Sequence, residues 1–334
     1  MVTRSTEAIV NDFSITTKIL GLNISGPKTS IVYGDMNGLI YERMQMETPS
    51  TVPFLECFDA ICSQVDKLLK VSRAQGLATP GVISVAVSGP LDILKGTVQS
   101  PPDLPQWEDV QLKGRLSVRY NLPVFIEHRS NAAALAEAFF GAGIGVESLL
   151  FIDMEPVVSI GMILDGRVYH GANDAAGDVG HMRMDKSGPG GLGEPGSLTG
   201  FTSSFGMAEL ASLRFPEHWP APPKPYEIVR LVNSGDSDAL AVVEEAAHHL
   251  GKALLWLIFS YDPEQVIFGH PGDLLGEALL TPLRDAVLMH GGGEARQLPQ
   301  LAISKLGAKL DDTAALMAVI YPYKTQGKQG KTAG

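Results

Sequence analysis

The sequence predicts a mixed α/β protein of two lobes with a cleft between them. Three observations carry that expectation. Two segments repeat one layout: ILGLNISGPKTSIVYGDMNGLIYE at residues 19–42 and SLLFIDMEPVVSIGMILDGRVYHG at residues 148–171. Each reads as an apolar strand, a break, a second strand, and a third strand beyond Asn37-Gly38 or Asp165-Gly166, dipeptides that signal hairpins between apolar runs. Further apolar strands then alternate with helical patterns, the mark of a sheet covered by helices. The length of 334 residues allows two domains, each with its own core.

Behind Ser50, Thr51 and Pro53, a plausible capped start, Phe54, Phe58, Ile61, Val65 and Leu68 recur at helical spacing. A buried-type strand, VISVAVSG, follows at 82–89, and LPVFIE at 122–127 leads into a helix near Asn131. FPEHWPAPPKPY at 215–226 is too proline-dense for helix or central strand. A long helix over 238–261, the strand QVIFG, a helix over 273–288, the strand LAISK and a last helix from Asp312 complete the order. The domain boundary is placed near residue 122. That gives a small lobe over 1–121, a large lobe over 122–310, and a final helix with a disordered tail, KTQGKQGK, over 311–334.

Apolar residues make up 45% and charged residues 19%, the balance of a compact protein. The longest apolar run, 253–259, is core-sized, so no membrane span is expected. MVTRSTEAIVNDF lacks the apolar stretch of a secretory signal, and the two cysteines, Cys57 and Cys62, sit at helix-core positions; together these predict a cytoplasmic protein. A net charge of −11 disfavours a broad nucleic-acid surface.

Six stretches, in order and at matching spacing, resemble the ROK family (repressor, ORF, kinase): SGPLD, SPPDLPQW, EHRSNAAALAEAFFGAG, ILDGRVYHGANDAAGDVGHM, YDPEQVIFG and LGAKLDDTAALMA. The resemblance implies a duplicated actin-like (ribonuclease H-like) ATPase fold whose last helix crosses back to the first lobe. It also implies a sugar kinase or a sugar-sensing regulator, normally a homodimer or larger homo-oligomer. Family repressors carry a helix-turn-helix domain ahead of the first lobe; seventeen residues precede Lys18, too few for one, so direct DNA binding is not expected.

Residue by residue, the machinery implied by the resemblance is altered. Phosphoryl transfer needs positioning, charge neutralisation and a base for the acceptor hydroxyl. The family's catalytic base is the aspartate of a Glu-Asn-Asp-x-Asn string. Here the string is Glu127-His128-Arg129-Ser130-Asn131, so Arg129 stands at that position, and a guanidinium accepts no proton. Arg129 reads either as a cation for an acidic ligand or as half of a structural ion pair. The first phosphate loop, Asp-Ile-Gly-Gly-Thr in the family, is Asn23-Ile24-Ser25-Gly26-Pro27; the second, Gly-Thr-Gly, is Glu155-Pro156-Val157. Proline has no N–H for a phosphate oxygen, and Glu155 adds like charge. The adenosine-side glycine run is Gly269-His270-Pro271-Gly272, only partly kept.

The family's structural zinc takes one histidine and three cysteines. His181 remains, but Gly190, Leu192 and Ser197 fall where thiolates are needed, so no zinc is expected. His181 then reads as a hydrogen-bonded histidine or a sugar contact. Of the family's sugar contacts, Gly89 is kept, while Asp178, Asp103, His128 and Thr199 replace a glutamate, two asparagines and a glutamate. Such changes should alter or abolish hexose binding. The sequence therefore reads as a catalytically degenerate homologue that binds a sugar-like or small anionic ligand, with ATP and magnesium binding weak or absent. The alternatives are an active hexose or N-acetylhexosamine kinase and a regulator acting through a protein partner.

Overall fold

Strand β1 (Lys18–Ile24) is buried along almost its whole length, the pattern of a strand covered on both faces. It pairs antiparallel with β2 (Lys28–Asp35), which pairs antiparallel with β3 (Ile40–Glu47). Burial alternates along β3, the signature of an edge strand with one solvent face. On its other side β1 pairs in parallel with β4 (Val82–Val87). A short ribbon of β5 (Leu91–Asp92) and β6 (Thr97–Val98) follows, and β7 (Val124–His128) completes the sheet beside β4. The order is β3-β2-β1-β4-β7.

The second sheet repeats this plan with β8 (Leu149–Asp153), β9 (Ser159–Leu164), β10 (Arg167–Val168), β11 (Gln265–Phe268) and β12 (Gln300–Ile303), in the order β10-β9-β8-β11-β12. The duplicated hairpin is thus the opening of each sheet, in the actin-like arrangement. The two turn signals work differently. Asp165 and Gly166 both take positive φ in a two-residue loop, whereas the first hairpin closes through Gly38 at φ 80° beside an irregularity at Tyr33/Gly34.

The structure, a computed structural model, describes residues 10–290 and 298–329. The chain divides into two units, residues 1–136 with 308–334, and residues 137–307. In the first unit, α1 (Phe54–Ala74) buries Phe58, Ile61, Val65 and Leu68 on the side facing β2 and β3. No side chain caps its start, contrary to the sequence reading; Pro53 stands at the N-cap and its carbonyl accepts from Glu56 and Cys57. Then come α2 (Leu112–Tyr120) and α3 (Arg129–Phe140). The second unit packs α4 (Leu198–Thr202), α5 (Ser204–Arg214), α6 (Glu227–Asn233), α7 (Ser237–Tyr261), α8 (Gly272–Leu275) and α9 (Glu277–His290) on its sheet. Residues 215–226 form the irregular connection between α5 and α6.

The last helix, α10 (Leu310–Gln329), packs on β1, β2 and β4 of the first unit. Gly21 permits this approach, since a Cβ there would lie 2.6 Å from Val32 Cγ2 and 2.9 Å from the Ala315 carbonyl. Two expectations are corrected. The boundary falls between Ala136 and Glu137 rather than near 122, because LPVFIE becomes β7 and hydrogen-bonds to β4. KTQGKQGK is helical through Gln329 as the end of α10, and its remainder lies outside the described residues. No helix among the described residues is long and apolar enough to cross a membrane.

His249 on α7 carries a pH dependence into this core. Its ring stacks on Phe201 at 3.7 Å between centroids, its Nδ1 has no hydrogen-bond partner, and it is 6% exposed. Burial, helped by Lys252 and His248, holds its pKa below the ordinary imidazole value. The folded state thus keeps it neutral, while the unfolded chain takes up a proton below about pH 6.5. Its contribution to stability is complete above that pH and is lost as pH falls from there towards the folded value, by at most about 1.4 kcal/mol per unit. Urea unfolding at a series of pH values should show this slope, and His249→Phe should flatten it.

Candidate functional site

Parallel pairing places Ile24 opposite Val87, and Val87 opposite His128. The residues that next leave the sheet, Ser25, Ser88 and Arg129, therefore emerge together at the carboxyl edge of β1, β4 and β7. That edge is where open α/β sheets hold ligands. The first phosphate loop, Gly89, Asp103, His128 and Arg129 all lie in this unit.

Asp103 is the hub of the edge. It is 6% exposed, and its Oδ2 accepts from the Gly26 N–H at 2.7 Å and from Ser88 Oγ at 2.8 Å. The contact is so close that a Cβ on Gly26 would lie 2.0 Å from the Asp103 carbonyl oxygen. Ser25 is spent as well, since its Oγ and N–H both donate to the Lys28 carbonyl. Asn23 donates through Nδ2 to the Asp311 carbonyl and Oδ1 at 3.1 and 3.3 Å. Asp311 also receives Lys28 Nζ at 2.6 Å and lies 3.9 Å from Arg129 Nη1. The adjacent Asp312 is 2% exposed and reaches Arg43 Nε at 3.1 Å, and burial pushes its carboxyl above the ordinary range. Both aspartates sit in the first turn of α10, where the helix dipole favours negative charge.

Gly89 is packed closely against protein: a Cβ on it would lie 2.5 Å from the His128 ring. His128 Nδ1 is 2.7 Å from Ser130 Oγ, and the His128 N–H donates to Glu127 Oε1. Ser88, Lys28 and Asp311 were not singled out from the sequence. The signals for Ser88 and Asp311 lie in SGPLD and in the acidic pair of LGAKLDDTAALMA, two of the stretches that carry the resemblance.

The second unit carries the remaining candidates. Glu155 is 7% exposed and accepts from the Ser204 N–H at 3.0 Å, at the first residue of α5. Val157 is half-buried in the same loop. Thr199 is fully buried and accepts from the Val158 N–H through Oγ1, so it binds the second loop to α4 rather than facing solvent. Asp178 and His181 are instead half-exposed, 3.8 Å apart at Oδ1 and Nε2. His270 Nδ1 meets Asp273 Oδ1 at 2.5 Å beside the partly kept glycine run.

The donor set for zinc does not fit. Gly190 and Gly191 donate their N–H groups to Glu209 Oε2 at 2.8 and 3.1 Å, Leu192 has no donor atom, and Ser197 caps α4 by accepting from Gly200. A carboxylate and a helix cap organise this loop. Among the described residues the group best placed for an ion is elsewhere: His218, Asp236 and Asp238, with the His218–Asp238 pair already closed at 2.8 Å.

The sequence model of the ROK family matches residues 19–315. A glucokinase from Halalkalibacterium halodurans is 30% identical over 210 residues, covering 59% of this chain and 61% of the relative. A xylose repressor from Caldicellulosiruptor bescii is 27% identical over 61% of this chain and 54% of the relative. These matches span less than two thirds of either relative. Among solved structures, a ROK family glucokinase from Streptomyces griseus in complex with glucose and AMPPNP superposes with a TM-score of 0.77 at 26% identity, covering 89% of this chain and 97% of that one.

Two outcomes follow from this geometry. Asp103→Ala leaves the Gly26 N–H and Ser88 Oγ without their buried acceptor and should cost about 2–3 kcal/mol in urea unfolding, with Asp103→Asn costing less. Elemental analysis of purified protein should find far less than one zinc per chain. About one zinc, removed by chelator with accompanying unfolding, would contradict the loop's reading.

Proposed function

We propose that this chain, which belongs to the ROK family, is a non-catalytic member that binds a sugar-like or small anionic ligand and does not transfer phosphate. The observation that carries the reading is the Asp103 carboxylate on the Gly26 N–H. A backbone donor of the first phosphate loop is satisfied by an acid of the same unit, and a polyphosphate would have to displace that acid. Three further features support it. Pro27 offers no donor, Glu155 fills the second loop with negative charge that is already hydrogen-bonded, and Arg129 stands where the family base belongs. Magnesium lacks its organising carboxylate as well, because Asn23 donates to Asp311 rather than accepting.

Loss of the base alone removes about two to four decades of rate. Loss of phosphate donors removes about two to three more, less than additively because the groups act as one unit. In the first unit His128 and Arg129 are the side chains offered to a ligand, and in the second unit Asp178 and His181 are. A role in the cytoplasm, as a homo-oligomer that senses or sequesters a ligand for a protein partner, suits a family holding repressors as well as kinases. An active kinase is the second reading, favoured by the similarity to the glucokinase that holds glucose and AMPPNP.

One paired experiment separates the two. Glucose, mannose, N-acetylglucosamine and N-acetylmannosamine are assayed with ATP and magnesium, and ATP alone is titrated by calorimetry. The expected result is no turnover and no tight ATP binding. Turnover above about one per second, at the ordinary scale of kinases, would overturn the proposal. Arg129→Asp should remain inactive, because it restores the base and leaves both loops occupied.

A further inference from the structure

The first unit contains a cavity that plays no part in the site above. Its lining includes Tyr33, Leu69, Ser72, Arg73, Ala78 and Tyr120, and its volume is about 240 Å³. Ala78 to Pro80 come just before β4, Leu122 just before β7, and Tyr33 lies opposite Leu20 near the start of β1. The cavity therefore sits at the amino edge of the sheet, the edge opposite Gly26, Ser88 and Arg129.

The polar groups around it are almost all engaged. Tyr33 Oη donates to the Ala78 carbonyl and Tyr120 Oη to the Cys62 carbonyl. Burial pushes both phenols above their ordinary pKa, so they stay neutral. Both rings thus serve as apolar wall, together with Leu69, Leu77 and Leu122. Arg119 is paired with Asp66 at 2.8 Å and lies over the Tyr120 ring. What remains is Arg73, exposed at the end of α1 with no side-chain partner among the described residues, and the exposed Thr79 at the rim. Beside them, Ser72 Oγ is buried without a hydrogen-bond partner, an arrangement that folded proteins rarely leave uncompensated.

An apolar chamber with one uncommitted cation at its mouth selects a small monoanion with an apolar body. Size narrows the class further: a cavity of ~150 Å³ takes benzene, so this one holds about ten non-hydrogen atoms. We propose that this cavity is a second ligand site, for a small aromatic monocarboxylate, with the ring among Tyr33, Leu69 and Tyr120 and the carboxylate on Arg73. Few, well-placed polar groups on an apolar lining are what small-molecule sites ordinarily present.

Phenylacetate, phenylacetamide and the full chain test this by saturation-transfer NMR and calorimetry. Phenylacetate should bind with a Kd of roughly 0.1–1 mM, an ordinary efficiency for ten atoms. The amide, lacking the charge, should bind about tenfold more weakly, as should phenylacetate to Arg73→Gln. Ala78→Trp, a change at an exposed position on the rim, should abolish binding, and Arg129→Ala should leave it unchanged. The absence of phenylacetate binding at about 10 mM would overturn the site. Binding unaltered by both Arg73→Gln and Ala78→Trp, or lost with Arg129→Ala, would place the ligand elsewhere and equally overturn it. Equal affinity for acid and amide would overturn the assigned ligand class.

Discussion

The in-register parallel pairing of β1, β4 and β7 is the constraint from which the rest of the first unit follows. One row, Ile24–Val87–His128, brings three chain segments to the same edge although they are far apart in sequence. A register slip of one residue would exchange the two faces of β4, and since all six residues of that strand are buried, every side chain would meet the wrong neighbours. Core packing thus decides where Ser25, Ser88 and Arg129 emerge, and the loops can only vary what those positions carry. Helix α10 then adds Asp311 and Asp312 to the same region through its packing on β1 and β4.

In each unit, backbone donors shielded from water need acceptors. In an NTP-binding loop that need is met by phosphate oxygens, whereas here it is met by carboxylates from within each unit. Asp103 serves Gly26, Glu155 serves Ser204, and Glu209 serves Gly190 and Gly191. Glu137 follows the same logic at the end of β12, accepting from Ser304 Oγ and from the N–H groups of Ala142 and Leu306. Charge-assisted bonds of this kind are short and roughly twice as strong as neutral ones. A loop so satisfied is stable without a ligand and also repels an anionic one. On the proposed reading, the same substitutions therefore strengthen the structure and weaken phosphate binding.

The hairpins, the order of strands and helices and the long α7 were legible because alternation, helical period and turn dipeptides are local signals. The boundary was not. LPVFIE is an apolar run of strand length, and nothing within it says which sheet it joins; only pairing with β4 does. The helical end of α10 was hidden too, since the stretch up to Gln329 has no apolar period and forms as the continuation of a helix anchored upstream. At the site, residue types were readable and partners were not. Asp103 and Gly26 are 77 residues apart, so the loop that this carboxylate closes could not be read from spacing. The partner of Thr199 was equally hidden, its Oγ1 accepting from the Val158 N–H 41 residues away.

Fold and site also respond to sequence change on different terms, so the fold can persist under the loss of activity proposed for this chain. The sheets rest on residues such as Leu20, Leu22, Val85 and Ile152, all essentially inaccessible to solvent. Each contributes by apolar area, and a conservative exchange there costs little. Phosphoryl transfer rests on a few groups that act as a unit, so the first loss removes most of the advantage and the others are then free to drift. Drift at a buried edge has a direction, however, because an orphaned donor costs about 1–3 kcal/mol until something accepts from it. Substitutions that supply an acceptor from nearby chain are therefore the stabilising ones. On the proposed reading, a loop closed by Asp103 in the first unit and one closed by Glu155 in the second are the endpoints that this bias favours.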